Sequence, residues 1–439
     1  MRIRISILLL LMTVRLAAQD FGFGDEAAAA IPDNGQSVSV SGEASASFTG
    51  YTDDFLENIS EVKSGDLFSG KINFSAKNSF AESLISLKLS TIQSQAVVPA
   101  SAFPVAFDEA FVRMYIGGAE VEAGLRKLTW GKADSFGPLD ITNPYDYTEL
   151  TNLRNLLEMK IARPLVHLTY RLGEFSKIEG LFIPYFEGSR FDTSGRWKPS
   201  QMDFSQSPIP ISIIFADTST LAYAQEGLRL TATVGSSDIG IQYYHGRINK
   251  PAYKITLASP PSVEILYNEY NQIGIDWARV IAGFNIRAET AANITSDFKG
   301  DDGSVYNPSI AWSLGFDRDI FWSVNLNIQA NESIRLMNNK TGSADIMASD
   351  FDIEGGKDAT YTRITAALSK KFFRDELELR TAVLWDIEDN DFFIVPAVVW
   401  TKDSASVECS GGIFGGDDKG ELGQYYKNCF AKIILKYLF

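Results

Sequence analysis

Charged side chains recur in this chain at alternate positions of otherwise apolar stretches. Residues 106–117 carry Glu109, Phe111, Arg113 and Tyr115 on one parity, against Ala110, Val112, Met114 and Ile116 on the other. Residues 119–127 put Glu120, Glu122 and Arg126 in phase, and residues 161–172 do the same with Arg163, His167, Thr169 and Arg171. Further along come Arg229, Arg287 with Glu289, Arg363, and Glu376, Glu378 and Arg380. Fixed charges of both signs on one face can orient polar solutes and exclude apolar ones. They do not amount to acid–base catalysis, which needs a base beside a nucleophile or an acid pair that activates water. The chain has two histidines, His167 and His245, with no HExxH spacing and no triad. His167 falls between arginines in the sequence, a cationic setting that lowers basicity. No enzyme activity, cofactor or metal site is expected.

A period of two means strands. Val38, Val40, Ala44, Ala46 and Phe48 oppose Ser39, Ser41, Glu43, Ser45 and Ser47, and Ile72, Phe74 and Ala76 oppose Lys71, Asn73, Ser75 and Lys77. Ile85, Leu87 and Leu89 oppose Ser86, Lys88 and Ser90. Turn signals fall near 79–81, 117–118, 173–174, 236–237, 282–283, 317–319, 373–374 and 402–404. Between them lie mostly longer connections, at 51–67, 94–105, 131–160, 188–225, 248–270, 295–306, 334–358, 389–391 and 415–423. Short and long connections alternate, which predicts an all-β, antiparallel up-and-down transmembrane β-barrel of about 18 strands, within a range of about 16 to 20. Pro164, Pro184 and Pro396 work against a continuous ladder. The first two sit towards the outer ends of their strands; Pro396 has no such excuse.

The closing run, with Ala431, Ile433, Leu435, Tyr437 and Phe439 in phase, is amphipathic and would be an unprotected edge in a soluble protein. It resembles the final strand of bacterial outer-membrane β-barrel proteins, which commonly ends in Phe with apolar residues at alternate positions before it. The resemblance implies that Ile433, Leu435, Tyr437 and Phe439 carry the signal read by the barrel-assembly machinery. As the closing strand, this run should pair with residues 36–50, whose Val38, Val40, Ala44, Ala46 and Phe48 would continue its lipid-facing surface. Trp130–Asp134, Pro138–Asp140 and Asn143–Asp146, with Ile183–Glu187 and Arg190 downstream, are similar to the early half of poorly characterised large outer-membrane barrel families. That likeness implies a barrel and names no substrate.

Composition agrees. A mean hydropathy of −0.05 with 12% aromatic residues suits alternating lipid-facing and water-facing positions, which cancel in any window. The start, Met1-Arg-Ile-Arg followed by an apolar run to Val14 and then Leu16-Ala-Ala18, reads as a secretory signal peptide over residues 1–18. Residues 19–35 form a short periplasmic lead and 36–439 the barrel, placed in the cell outer membrane among its lipids. A net charge of −15 argues against a nucleic-acid partner. Acidic clusters such as Asp386/Glu388/Asp389/Asp391, Asp301/Asp302 and Asp417/Asp418 read as solvated loops, or as divalent-cation sites at the surface.

Function follows from the polar face. The expected role is a porin-like channel for passive uptake of small solutes, its lumen lined by Glu109, Arg113, Glu122, Arg126, Arg163, His167, Arg171, Arg229, Arg287, Arg363 and Arg380. A closed interior filled with Arg–Glu pairs competes with this, although about 18 strands enclose more space than side chains fill. Loop 131–160 exceeds ordinary lengths and is expected to fold inward as a constriction, with Asp134, Asp140, Asp146 and Glu149 facing Arg113, Arg126, Arg163 and Arg171. Capping of the outer mouth is the alternative for that loop. Other readings are an adhesin or scaffold that uses loops 188–225 and 334–358, and a conduit for hydrophobic solutes past Trp130, Phe136, Tyr145 and Tyr147. Cys409 and Cys429 are placed on apolar faces of the last two strands, either disulfide-bonded across the pair or free towards lipid.

Overall fold

The computed structural model describes residues 37–53, 68–90, 105–153, 155–200, 212–256, 260–337 and 359–439. The expected signal peptide and N-terminal lead lie outside these residues. Eighteen strands form one antiparallel sheet that closes on itself. In chain order β1 is Ser37–Tyr51, β2 Phe68–Lys77, β3 Ala81–Ser90, β4 Val105–Ile116, β5 Ala119–Arg126 and β6 Arg163–Arg171. Next come β7 (Ser176–Ile183), β8 (Gln225–Val234), β9 (Ser237–Arg247), β10 (Glu269–Ile281), β11 (Phe284–Thr295) and β12 (Ser309–Asp319). The last six are β13 (Asn325–Arg335), β14 (Thr360–Phe372), β15 (Leu377–Asp386), β16 (Asp391–Lys402), β17 (Ala405–Gly416) and β18 (Phe430–Leu438).

The ring closes where β18 pairs with β1. Ile433, Leu435 and Tyr437 stand opposite Phe48, Ala46 and Ala44, so the outward apolar surface is continuous across the seam. On the inward side Lys436 and Glu43 form an ion pair at 3.1 Å. Phe439 extends the ladder, its N–H donating to the Gly42 carbonyl at 3.0 Å and its carbonyl accepting from Gly42 N–H at 2.8 Å.

Parity follows chemistry. Val112, Met114, Ile116, Val166, Leu168 and Tyr170 are exposed outward, whereas Phe111, Glu122, Arg163 and His167 are buried inside. An Arg or Lys facing lipid at the bilayer midplane costs about 2–4 kcal/mol, so each strand is held in the register that turns its charges inward. The short turns match the sequence expectation except at 317–319. There β12 runs to Asp319 and the reversal is the 3-10 turn Phe321–Ser323, with Trp322 at φ 61°. Among the long-loop connections one is short, a tight reversal that brings Asp386 opposite Asp391.

Pro396 also finds its reason. The β16–β17 register passes from Ile394↔Ile413 to Ala397↔Ser410, leaving Val395 and Pro396 unpaired on the side of Gly411 and Gly412. The missing N–H falls in that gap. Pro164 pairs with Leu125 at the long-loop end of β6, and Pro184 lies just past the end of β7. Beyond the barrel at the long-loop end, Ser212–Phe215, Ser262–Leu266 and Ala252–Thr256 form a three-stranded sheet.

A loop laid across the lumen as candidate functional site

The connection between β5 and β6, residues 127–162, is described throughout except at Arg154. Its base is closed by Asn143, a fully buried residue. The Asn143 Oδ1 accepts from Leu128 N–H at 2.8 Å, while Nδ2 donates to the carbonyls of Arg126 (3.0 Å) and Ile161 (2.8 Å). Lys160 adds a second clasp, donating to the Leu128 carbonyl, Thr129 Oγ1 and Asp140 Oδ1. One amide and one ammonium thus tie the two ends of the loop together.

From that base residues 131–139 reach the far wall. The Glu289 carboxylate on β11 accepts N–H bonds from Lys132, from Ala133 at 2.7 Å and from Leu139 at 3.3 Å. Gly131 (φ 90°) and Gly137 lie so close to that carboxylate that a Cβ at either would strike it. Gln329 on β13 accepts from Asp134 N–H at 2.8 Å and donates to the Ser135 carbonyl. Gln242 on β9 and Gln272 on β10 donate to the carbonyls of Leu139 (3.2 Å) and Pro138 (3.0 Å). Leu139 is fully buried, seated against Gly274 of β10. Phe136 lies under the Arg363 guanidinium of β14, 4.6 Å from ring centre to Cζ, half the ring away from β5.

The returning limb is apolar. Leu150, Leu153 and Met159 join Tyr51, Leu384, Phe393, Phe414 and Phe430 of the inner wall, together with Trp197, Leu422 and Tyr425 from two other long loops. Each such side chain contributes about 1.5–3 kcal/mol on full burial. Lys432 of β18 donates to Thr151 Oγ1 (3.1 Å) and Asn152 Oδ1 (3.2 Å), and Lys88 of β3 reaches the Glu158 carbonyl at 3.5 Å. The loop therefore touches the inner wall on opposite sides of the ring.

The arginines and carboxylates singled out in the sequence are placed as follows. Arg113 pairs with Glu122 and Glu82, Arg126 with Glu109 at 2.7 Å, and Arg171 with Glu120 at 3.1 Å. Arg229 pairs with Asp276, Arg363 with Asp386 and Arg380 with Glu408, all at 2.5–2.6 Å. Arg163 is fully buried and donates to the Glu187 carbonyl and to Asn249 Oδ1. His167 stands between two carboxylates, Nδ1 at 3.0 Å from Glu122 and Nε2 at 3.3 Å from Glu179, in place of the arginine neighbourhood expected from the sequence.

The four loop acids do not face Arg113, Arg126, Arg163 and Arg171. Asp134 bonds Arg287 and Asn327 on the opposite wall, and Asp140 bonds Lys160 and Tyr145. Asp146 accepts from Thr148, and Glu149 caps the turn at Leu150–Asn152 through Thr151 N–H. The expected facing arrays fail because nearer partners exist: cross-strand carboxylates for the arginines, and the loop's own donors for the acids. Burial pushes the Glu149 carboxyl above its ordinary range, an effect that the Thr151 N–H and Lys432 offset only in part. Burial likewise raises Asp140 against the pull of Lys160.

Other expectations are corrected by packing. Trp130 is 2% exposed, while Phe136, Tyr145 and Tyr147 are partly buried against the apolar cluster, so Trp130 itself offers no entry surface to solutes. Cys409 stands opposite Ile433, and both cysteines are free thiols. Cys429 precedes β18 and its thiol bonds the Phe414 and Tyr426 carbonyls, so it is not on the lipid face. Of the acidic clusters, Asp391 accepts N–H bonds from Leu422 and Gly423, and Asp302 accepts from Ser304. Among the described residues no group of His, Cys, Asp and Glu is placed to hold a metal ion.

Sequence reasoning missed the glutamines Gln242, Gln272 and Gln329, although their inward phase on strands was there to be read. It also passed over Asp108, to which Lys71 and Lys127 bond at 2.5 Å and near which Lys88 lies at 3.8 Å.

No family model matches the chain, and no curated protein sequence matches it. Solved structures do. OccAB3 of Acinetobacter baumannii superposes with a TM-score of 0.52 at 9% identity, over 92% of this chain and 99% of that one. The outer membrane protein OpdK of Pseudomonas aeruginosa gives 0.52 at 7% identity, over 92% and 98%. OccK11 (OpdR) of P. aeruginosa gives 0.50 at 8% identity, over 92% and 96%. At such identities the likeness concerns architecture. The chain has the closed 18-stranded barrel fold of bacterial outer-membrane proteins.

Proposed function

We propose that the protein is a passive, porin-like channel of the outer membrane, with loop 131–160 folded inward to set the narrowest part of its lumen. The observation that carries this reading is the bonding of the loop backbone by inward side chains on the far wall, Glu289 and Gln329 above all. A loop that capped the mouth would have no use for buried wall acceptors beneath it. Small polar solutes pass beside the loop, and the inward charges of β2–β7, Glu109, Arg113, Glu122 and Arg126 among them, line their path. The loop acids Asp134, Asp140, Asp146 and Glu149 act by holding the constriction in shape. Export follows from a signal peptide over 1–18 ahead of a short lead, and insertion from recognition of Ile433, Leu435, Tyr437 and Phe439 by the assembly machinery.

A second reading is favoured by one feature of the three-stranded sheet. Ile213, Ile214 and Phe215 are exposed at 44%, 50% and 72% at the long-loop end, a surface suited to a barrel-anchored binding protein. Liposome swelling with uncharged solutes of graded size separates the two. A channel gives swelling that slows as the solute grows. Swelling no faster than that of empty liposomes, from protein shown to be folded, would exclude it and leave the surface-binding reading.

A further inference from the structure

We infer that Lys71, Lys88 and Lys127 form an anion-attracting step inside the lumen that makes the channel select small anions over cations, despite its acidic overall charge. This inference rests on the channel reading.

Charge balance sets three lysines apart from the arginines. The luminal arginines named above, apart from fully buried Arg163, each have a carboxylate within ion-pair distance, and those pairs contribute little net potential. The lysine cluster differs. Three ammonium groups surround one carboxylate, that of Asp108, with Lys71 and Lys127 at 2.5 Å and Lys88 at 3.8 Å. Lys71 and Lys88 stand directly opposite each other in the β2–β3 ladder. Asp108 offsets part of the repulsion between them, and Glu43, opposite Lys71 on β1, is taken by Lys436, so positive charge is left over.

Local geometry puts the acid among the lysines. The β3–β4 register shifts from Ser86↔Glu109 to Leu87↔Phe107, making Asp108 the extra residue of a bulge. Asp108 is 6% exposed, and the Lys127 side chain is buried beside it. The Lys88 and Lys71 side chains remain 45% and 32% exposed. The buried pair is therefore internally neutral, and the surplus charge sits on the two exposed ammoniums.

Position gives the surplus its role. Lys88 lies within 3.5 Å of the Glu158 carbonyl, so the cluster stands where the inward loop approaches the β2–β4 wall. A solute passing between loop and wall there meets two exposed cations. Acids beyond a Debye length of about 8 Å are screened, so the net charge of the whole chain does not decide selectivity at this point. Flexible, hydrated ammoniums bind an anion loosely enough to release it, as conduction requires.

The test is the reversal potential of purified barrels in planar bilayers under a KCl gradient. Wild type should favour chloride. The Lys71→Gln/Lys88→Gln double variant should lower the chloride-to-potassium permeability ratio by about fivefold for each ammonium removed, the order set by one unit charge at contact distance in water. Lys71→Arg/Lys88→Arg should retain selectivity, and Lys419→Gln, which changes net charge on an outer loop, should leave it unmoved. Heat-modifiable migration in gels confirms that each variant is folded. A cation-selective wild type, or a double variant with wild-type selectivity, would overturn the inference. Folded wild type with no conductance would overturn the channel reading itself.

Discussion

The carboxylate of Glu289 and the backbone N–H of Ala133 meet at 2.7 Å, although Glu289 stands on β11, six strands round the ring from β5, where the loop of Ala133 departs. The same carboxylate takes the N–H groups of Lys132 and Leu139, and Gly131 and Gly137 leave the room it needs. One side chain of the wall thereby organises a turn of the inward loop. It does so where a buried N–H without an acceptor would cost about 1–3 kcal/mol.

Replacing Glu289 by Ala should release the first limb of the loop. Several orphaned donors at about 1–3 kcal/mol each predict a clear drop in the urea midpoint of detergent-solubilised barrel, with new protease cleavage between residues 131 and 139. Wild-type stability and an uncut loop would mean that Glu289 is not the anchor.

Glu149 provides a pH dependence. Burial raises its folded carboxyl pKa above the unfolded value of 4.5, so the folded state holds the proton more tightly. The charged form then costs stability above that value, and the cost fades as pH falls through the folded pKa. Glu149→Gln keeps an acceptor for Thr151 N–H and removes the charge. It should be more thermostable than wild type at neutral pH, by a margin that shrinks towards pH 4.5. A margin that stays constant with pH would show that the charge is not responsible.

The thiols offer a direct check on register. Cys409 faces outward opposite Ile433, while Cys429 lies in the approach to β18. Intact mass after denaturation and alkylation, with no reductant, should show two modified cysteines. A protein that gains both modifications only after reduction would contradict the pairing of β17 with β18.

At the seam, the Phe439 ring packs on Gly42 and its backbone exchanges two hydrogen bonds with it. Deletion of Phe439 should reduce the yield of heat-modifiable, membrane-inserted barrel well below that of a deletion within 341–350. Equal yields would remove the assembly role from this residue.

Architecture was legible because the lipid face imposes a strict rule on every strand. Val112, Met114 and Ile116 can be sorted from Arg113 and Tyr115 without knowing any neighbour, and the alternation of connections leads to 18 strands. The site was half legible. The length and turn formers of 131–160 marked the loop, and the phase of the arginines marked the wall. Their partners were not readable, because Arg126–Glu109 and Asp134–Arg287 depend on register and on where the loop crosses, which alternation does not encode. Cys429 shows the same limit: counting in twos carried it onto β18, but the turn at Gly423–Asn428 takes over before the strand begins. Likewise the bulge that sets Asp108 among lysines leaves no mark in period-two patterning.

If loop 131–160 limits flow across the lumen, its removal must widen the channel. Single-channel conductance in planar bilayers, wild type against a deletion of residues 134–150, tests it most directly. The deletion should give a several-fold larger conductance, with loss of size discrimination. The same conductance and the same selectivity in both proteins would contradict it.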